Sequence, residues 1–260
     1  MELSLAPDII THIGQFPITN TLLMAWLVMS TLIIIGYFAT THLSLRPGKL
    51  QNATEFILET MYDLCTSVSP TYGRTFLPIV VTFFLFIITA NWFGLVPGLN
   101  AIGLNMHVAD KIEFIPLFRS AASDLNTTLA FALISVVLTQ YFGIRFKGLY
   151  GYIRHFFHNP LHGGIAFVLL GLFIGVFVGM LEVVSEFVKV VSLSFRLFGN
   201  VYAGEVVIHT ISGLSSYIAP VPFLLLETIV GAVQAVVFAL LSLVFFSIIS
   251  EKPVVEEGAH

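Results

Sequence analysis

The stretch from Val188 to Glu205 constrains this chain more than any other. It sets Lys189, Arg196, Asn200 and Glu205 into a run that is otherwise hydrophobic enough to lie in a bilayer. A guanidinium does not shed its proton, and placing it at mid-membrane costs at least a few kcal/mol. Such a residue faces protein or water rather than lipid, and it marks an ion path. An arginine near a helix end instead snorkels to the headgroups. That alternative fits poorly here, because apolar residues flank Arg196 for at least two turns on either side, Lys189 apart.

The composition agrees with a membrane setting: 57% of residues are hydrophobic and 10% charged, where a soluble domain carries about 25% charge. The net charge of −4 says little, since where the charges lie matters more than their sum. No nucleic-acid partner is expected. A single cysteine, Cys65, excludes an internal disulfide and a cysteine metal cluster. No cleavable signal peptide is expected either, because the first dozen residues hold Glu2 and Asp8 and lack a basic start.

In chain order, residues 18–40 form a first span of about 20 uncharged residues, enough to cross a hydrocarbon core of about 30 Å. Leu50, Ala53, Ile57, Met61, Leu64 and Val68 then recur at helical spacing, with Asn52, Glu55, Glu59 and Asp63 mostly elsewhere. This predicts an amphipathic helix over 50–68, on the membrane surface or against a partner. Its acidic polar face favours the partner. The second span runs over 76–97, with Trp92 suited to an interface and Asn91 read as a packing amide. A polar loop follows over 98–123. Asp124 either caps the third span, 125–144, or with Asn126 lines an inlet path. The basic segment 145–164 contains His155, His158 and His162, but Pro160 interrupts the helix that would align them, so no metal site is expected.

Residues 165–212 are too long for one upright span. At 1.5 Å per residue they make about 70 Å of helix, which must tilt, bend or break. Gly171, Gly175 and Gly179 form a small-residue ridge suited to helix packing. At about 100° per residue, Glu182, Glu186, Lys189, Arg196 and Asn200 fall within roughly 80° of one another, and Glu205 and His209 lie opposite. The polar residues thus make two patches, one before Arg196 and one after it. Lys189 has pairing spacing to both Glu182 and Glu186. After a turn at 213–222, a last span over 221–250 returns across the membrane and a short acidic tail follows. The fold class is therefore all-α and polytopic, with about five transmembrane helices and one amphipathic surface helix. The last two helices are long and form a tilted hairpin.

The hairpin has a further consequence. Residues equidistant from an antiparallel turn lie at equal depth, which pairs Arg196 with Gln234 and Glu205 with Glu227. The carboxylate layer then sits about 13 Å outward from the Arg/Gln layer. Two carboxylates in one desolvated layer do not both ionise easily.

The segment Ser192-Leu-Ser-Phe-Arg196-Leu-Phe-Gly-Asn200-Val-Tyr-Ala-Gly-Glu205 closely resembles the signature of the a subunit of rotary F-type ATP synthases, bacterial type. The resemblance extends to Ala90-Asn-Trp-Phe-Gly-Leu-Val-Pro97, to Ser123–Leu129 and to Leu226–Phe238, and covers most of the chain from about residue 50. It implies a stator with two offset half-channels, a c-subunit ring whose membrane carboxylates turn against it, and peripheral-stalk b subunits. The transported ion would be H⁺ and the location the bacterial inner membrane. Arg196 would attract each deprotonated ring carboxylate and block leakage between the half-channels. Glu205, His209, Glu227, Asp124 and Asn126 would serve the outer path. Glu182, Ser185, Glu186 and Asn200 would serve the inner one, and Gln234 would orient the guanidinium. The resemblance implies a histidine at one of the two carboxylate positions. Both are Glu here, and His209, one turn from Glu205, is the available imidazole.

Loops 41–75 and 144–164 together with the C-terminus hold seven of the eleven Lys and Arg, against Lys111 and Arg119 in loop 98–123. The positive-inside rule then puts the N-terminus outside and the C-terminus in the cytoplasm. No covalent catalysis by this chain and no cofactor are expected, because metalloprotease, nucleophile-elbow and phosphate-loop motifs are all absent from the sequence. Two alternatives remain at this stage. A self-contained channel or transporter needs its own ion-binding carboxylate and gating, and a membrane enzyme would use its Glu and His as acid and base.

Overall fold

The computed structural model describes residues 6–41, 43–108, 111–156, 165–214 and 218–250. The stretch with His158 and His162, part of the turn after Gly213 and the acidic tail lie outside the described residues. The order is a β-hairpin, two helices, a third helix, a second hairpin and three long helices. The helices are α1 (Asn20–Thr41), α2 (Lys49–Val68), α3 (Gly73–Leu95), α4 (Leu125–Phe156), α5 (Ile165–Leu214) and α6 (Pro220–Ser250). Among the described residues, four segments are long and apolar enough to cross a membrane: α1, α3, α4 as far as Gly148, and α6. Helix α5 is longer than any of these, at 50 residues, and Glu182, Glu186, Lys189, Arg196 and Glu205 are strung along it.

The core forms where α3, α4 and α6 meet one face of α5. Large side chains do most of the filling: Phe76, Phe238 and Phe246 are fully buried. Phe76 meets Phe142 edge-on at 4.9 Å between ring centres, and Phe83 meets Phe238 at 5.5 Å, geometries that aromatic quadrupoles favour. Buried hydroxyls cross-link the same helices. Ser135 Oγ donates to Ser242 Oγ at 2.8 Å, and Thr128 and Ser194 share a hydrogen bond at 3.3 Å. Helix α1 packs mainly through Met24, Ala25 and Val28, while Ile33, Ile34, Tyr37 and Phe38 stay exposed. A helix apolar on every side and half uncovered suits lipid contact.

Helix α2 carries the predicted amphipathic stripe. Met61 and Cys65 are buried, with Ile57, Leu64 and Val68 packed alongside. From Ile57 onward the stripe is covered by this chain's own core, whereas Leu50 and Ala53 at its start are exposed, and the acidic face points outward. Burial pushes the Cys65 thiol up to about 11.

Two expectations need correction. The third span does not give way to a loop after Ile144. The helix runs on to Gly148, whose φ of 74° and ψ of 160° kink the chain, and a second helical stretch continues from there to Phe156. That backbone region suits glycine, which lacks the Cβ that would clash there. Arg145 therefore sits on the helix, its Nη1 donating to Tyr141 Oη at 3.0 Å. Loop 98–123 contains a hairpin, β3 (Gly103–Val108) with β4 (Lys111–Pro116), antiparallel from Gly103↔Pro116 to Val108↔Lys111. A similar hairpin, β1 (Ile9–Ile13) with β2 (Phe16–Thr19), precedes α1. Both lie outside the helical body, so the all-α class stands.

Candidate functional site

Helices α5 and α6 carry the ionisable groups, and α3 and the 117–124 segment brace them. Two α3 side chains grip α6 through its backbone. Asn91 Nδ2 donates to the Gly231 carbonyl at 3.0 Å, and Trp92 Nε1 donates to the Thr228 carbonyl at 3.2 Å. Asn91 is thus the expected packing amide, and Trp92, 45% exposed, is also a helix clamp. The acceptors flank the turn that follows Glu227.

Glu205 and Glu227 line one small cleft together with Asn91, Gly94 and Ser120. The equal-depth expectation for the two carboxylates agrees with this placement. The Glu227 carboxyl lies directly against Gly204, where a Cβ would occupy the same space. A side chain at position 204 would push the Glu227 carboxyl, the far end of a flexible side chain, out of its present place beside Glu205.

Glu205 has a partner that sequence reasoning missed. Arg119 Nε donates to Glu205 Oε2 at 3.2 Å, and both side chains are largely buried. The guanidinium also lies 6.0 Å from the Tyr202 ring centre. Counted above as a loop cation, Arg119 is only 7% exposed. Its signal was its setting: from Phe114 to Ala122 it is the sole charge in a largely apolar stretch.

Asp124 caps α4 and also ties it to α1. Its Oδ1 accepts the Asn126 backbone N–H at 2.9 Å, and its Oδ2 accepts the Thr21 hydroxyl at 3.0 Å. Asp124 is buried, whereas Asn126 is exposed on the other side of the helix start. His209 is exposed near the far end of α5.

On the other side of Arg196, Lys189 Nζ donates to Glu186 Oε1 at 2.6 Å and lies 5.0 Å from the Phe245 ring centre. Of the two pairing partners spacing allowed, Glu186 is the one in place. Glu182 is half-buried and Ser185 exposed.

Arg196 itself lies on the uncovered face of α5, its Nη2 donating to Ser192 Oγ at 3.4 Å. Gln234, expected opposite it, is bonded elsewhere: Asn200 Nδ2 donates to Gln234 Oε1 at 2.8 Å. Gln234 is buried between the helices, whereas Arg196 is exposed. Depth alone could not tell these sides apart.

Long apolar helices with a layer of ionisable side chains enclosed between them define a polytopic membrane protein built to handle ions. The family model described as ATP synthase A chain matches residues 22–247, and the chain belongs to that family. ATP synthase subunit a of Moorella thermoacetica is 34% identical over 93% of this chain and 95% of its own length. ATP synthase subunit a of Syntrophobacter fumaroxidans is 31% identical, over 93% and 88% respectively. A protein named ATP synthase subunit a 1, from Hahella chejuensis, is 31% identical over 90% and 85%.

Proposed function

We propose that this chain is the stator ion channel of the membrane sector of an ATP synthase, passing protons to and from the carboxylates of a rotating c-subunit ring. The observation that carries the reading is the surface around Arg196. Phe187, Val188, Val191 and Phe195 are exposed on α5, and Arg196 is exposed among them. Lipid is a poor cover for that face, because a permanent cation in hydrocarbon costs several kcal/mol. A row of helices, each bringing one carboxylate, covers both the apolar residues and the charge.

The mechanism follows from electrostatics. A fixed cation beside a passing carboxyl favours its ionised form and so promotes proton release. The same cation opposes a hydronium ion moving directly between the two paths. Arginine suits the task because it keeps its proton when desolvated. Glu205 and Glu227, with His209, Asp124 and Asn126, serve the outer half-channel. Glu182, Ser185, Glu186 and Asn200 serve the inner one, and Gln234 orients the polar layer through Asn200. The bias of cations puts the N-terminus outside and the C-terminus in the cytoplasm of a bacterial cell. The burial of Arg119 leaves the outer loop with even fewer solvated cations. The outward acidic face of α2 suits the peripheral-stalk b subunits. This chain performs no covalent chemistry itself.

The test uses the whole complex in vesicles. Arg196→Ala should reduce ATP-driven proton uptake by about a hundredfold or more while the ring still co-purifies. Near-normal coupled transport in that variant would overturn the reading.

A further inference from the structure

We propose that Arg119 is a positioning residue of the outer path, holding the Glu205 carboxylate in its working place opposite Glu227. Four features of the contact support this role. First, the contact is direct: the guanidinium Nε donates to Glu205 Oε2 at 3.2 Å. Second, it joins elements far apart in sequence, because Arg119 comes from the segment after the second hairpin and Glu205 from α5. Third, the segment that carries Arg119 is itself fixed. Ser123 Oγ donates to the Ser120 carbonyl at 2.9 Å, and Asp124 just beyond is held by Thr21. Fourth, the Tyr202 ring and the Ala6 carbonyl, 3.5 Å from Nη1, flank the guanidinium.

The consequence concerns Glu205 more than Arg119. A glutamate side chain has three rotatable bonds, and proton transfer needs its carboxylate within hydrogen-bond reach of the next group. With Gly204 making room for Glu227 on one side and Arg119 holding Glu205 on the other, both carboxylates are confined to the same cleft. The cation also offsets the mutual repulsion of two carboxylates in a low-dielectric layer. The two arginines thus divide the work: Arg196 faces the ring, and Arg119 keeps the inlet in register.

This inference rests on the proposed role of Glu205 in proton conduction, and the test separates the two. ATP-driven proton uptake is measured on the reconstituted complex, with ring and chain quantified in each sample. Arg119→Gln should lower uptake about tenfold, and Arg119→Lys about threefold, since Lys keeps the charge without the planar fork. In a Glu205→Gln background, Arg119→Gln should add nothing further, because it acts through that carboxylate. Normal uptake in Arg119→Gln alongside loss in Glu205→Gln overturns the positioning role alone. A double variant whose loss multiplies the two single losses also overturns it, since that marks a merely structural pair. Normal uptake in Glu205→Gln overturns the conduction reading and this inference with it. Should Arg119→Gln fail to assemble, Arg119→Lys decides, and wild-type uptake there counts against the proposal.

Discussion

Arg119 and Arg196 are the same residue in two opposite situations. Arg119 is enclosed, bonded to Glu205 and flanked by Tyr202. Arg196 stands on an uncovered apolar face with one long bond to Ser192. A buried cation that meets a carboxylate within its own chain organises that chain. One left outward among apolar residues is where the proposed ring carboxylate would meet this chain. The first is thus read as internal architecture, the second as half of an interface.

The sharpest way to break the comparison is to make Arg196 less able to meet a ring carboxylate without removing its charge. Arg196→Lys should lower ATP-driven proton uptake by more than about tenfold, because lysine loses the planar fork and gives up its proton more readily when desolvated. A loss under about threefold would make Arg196 a simple point charge. Next, Gly204→Ala places a Cβ where the Glu227 carboxyl now sits. Uptake should fall about tenfold with assembly intact, and Gly204→Ser should be no better. Wild-type uptake in both would show that Glu227 conducts from another position.

The inner patch offers a contrast with the outer one. The Lys189–Glu186 pair is local to α5, and Lys189 also rests on Phe245 of α6. Lys189→Gln should leave uptake within about threefold of wild type and lower thermal stability instead, as removal of one member of a partly buried pair does. A tenfold loss of uptake would move Lys189 into the conducting path.

A smaller effect is expected at Asp124, where the cap and the Thr21 tether are both lost in Asp124→Ala. Helix capping of this kind is worth about 1–2 kcal/mol, seen as a lower melting temperature in detergent. Thr21→Val should reproduce only part of it. The smallest change concerns Cys65, whose thiol is pushed up to about 11 by burial. The raised value keeps it in the neutral, unreactive form, so alkylation at pH 8 should run about a hundredfold slower than for a free cysteine and rise with pH up to about 11. Fast labelling at pH 8 would show that α2 lifts off the core.

Much of this was legible from sequence because hydrophobic periodicity is a local property. The bounds of α1, α2, α5 and α6 fall within a few residues of those expected from apolar runs and their breaks. Equal spacing from the last turn placed Glu205 and Glu227 at one depth, and the cleft holds both. The same counting put Arg196 and Gln234 at one depth, and Gln234 takes its hydrogen bond from Asn200, one turn further along α5. Depth along a helix follows from residue number, but the direction of a side chain around the axis depends on which neighbours pack against it. Asn200 faces α6 closely enough to take Gln234, and Arg196 does not.

The sequence by itself determined the membrane setting, the helix count of the body and the presence of a cation that lipid does not tolerate. Those conclusions need only composition and spacing, since transfer free energies add up along the chain. The tertiary structure decided which arginine is satisfied, that Gly204 is open because Glu227 fills the space, and that Asp124 holds α1 as well as capping α4. Each of these joins residues far apart in sequence. Arg119 and Glu205 are separated by 86 positions, and no local pattern signals such a pair until the helices between them have packed.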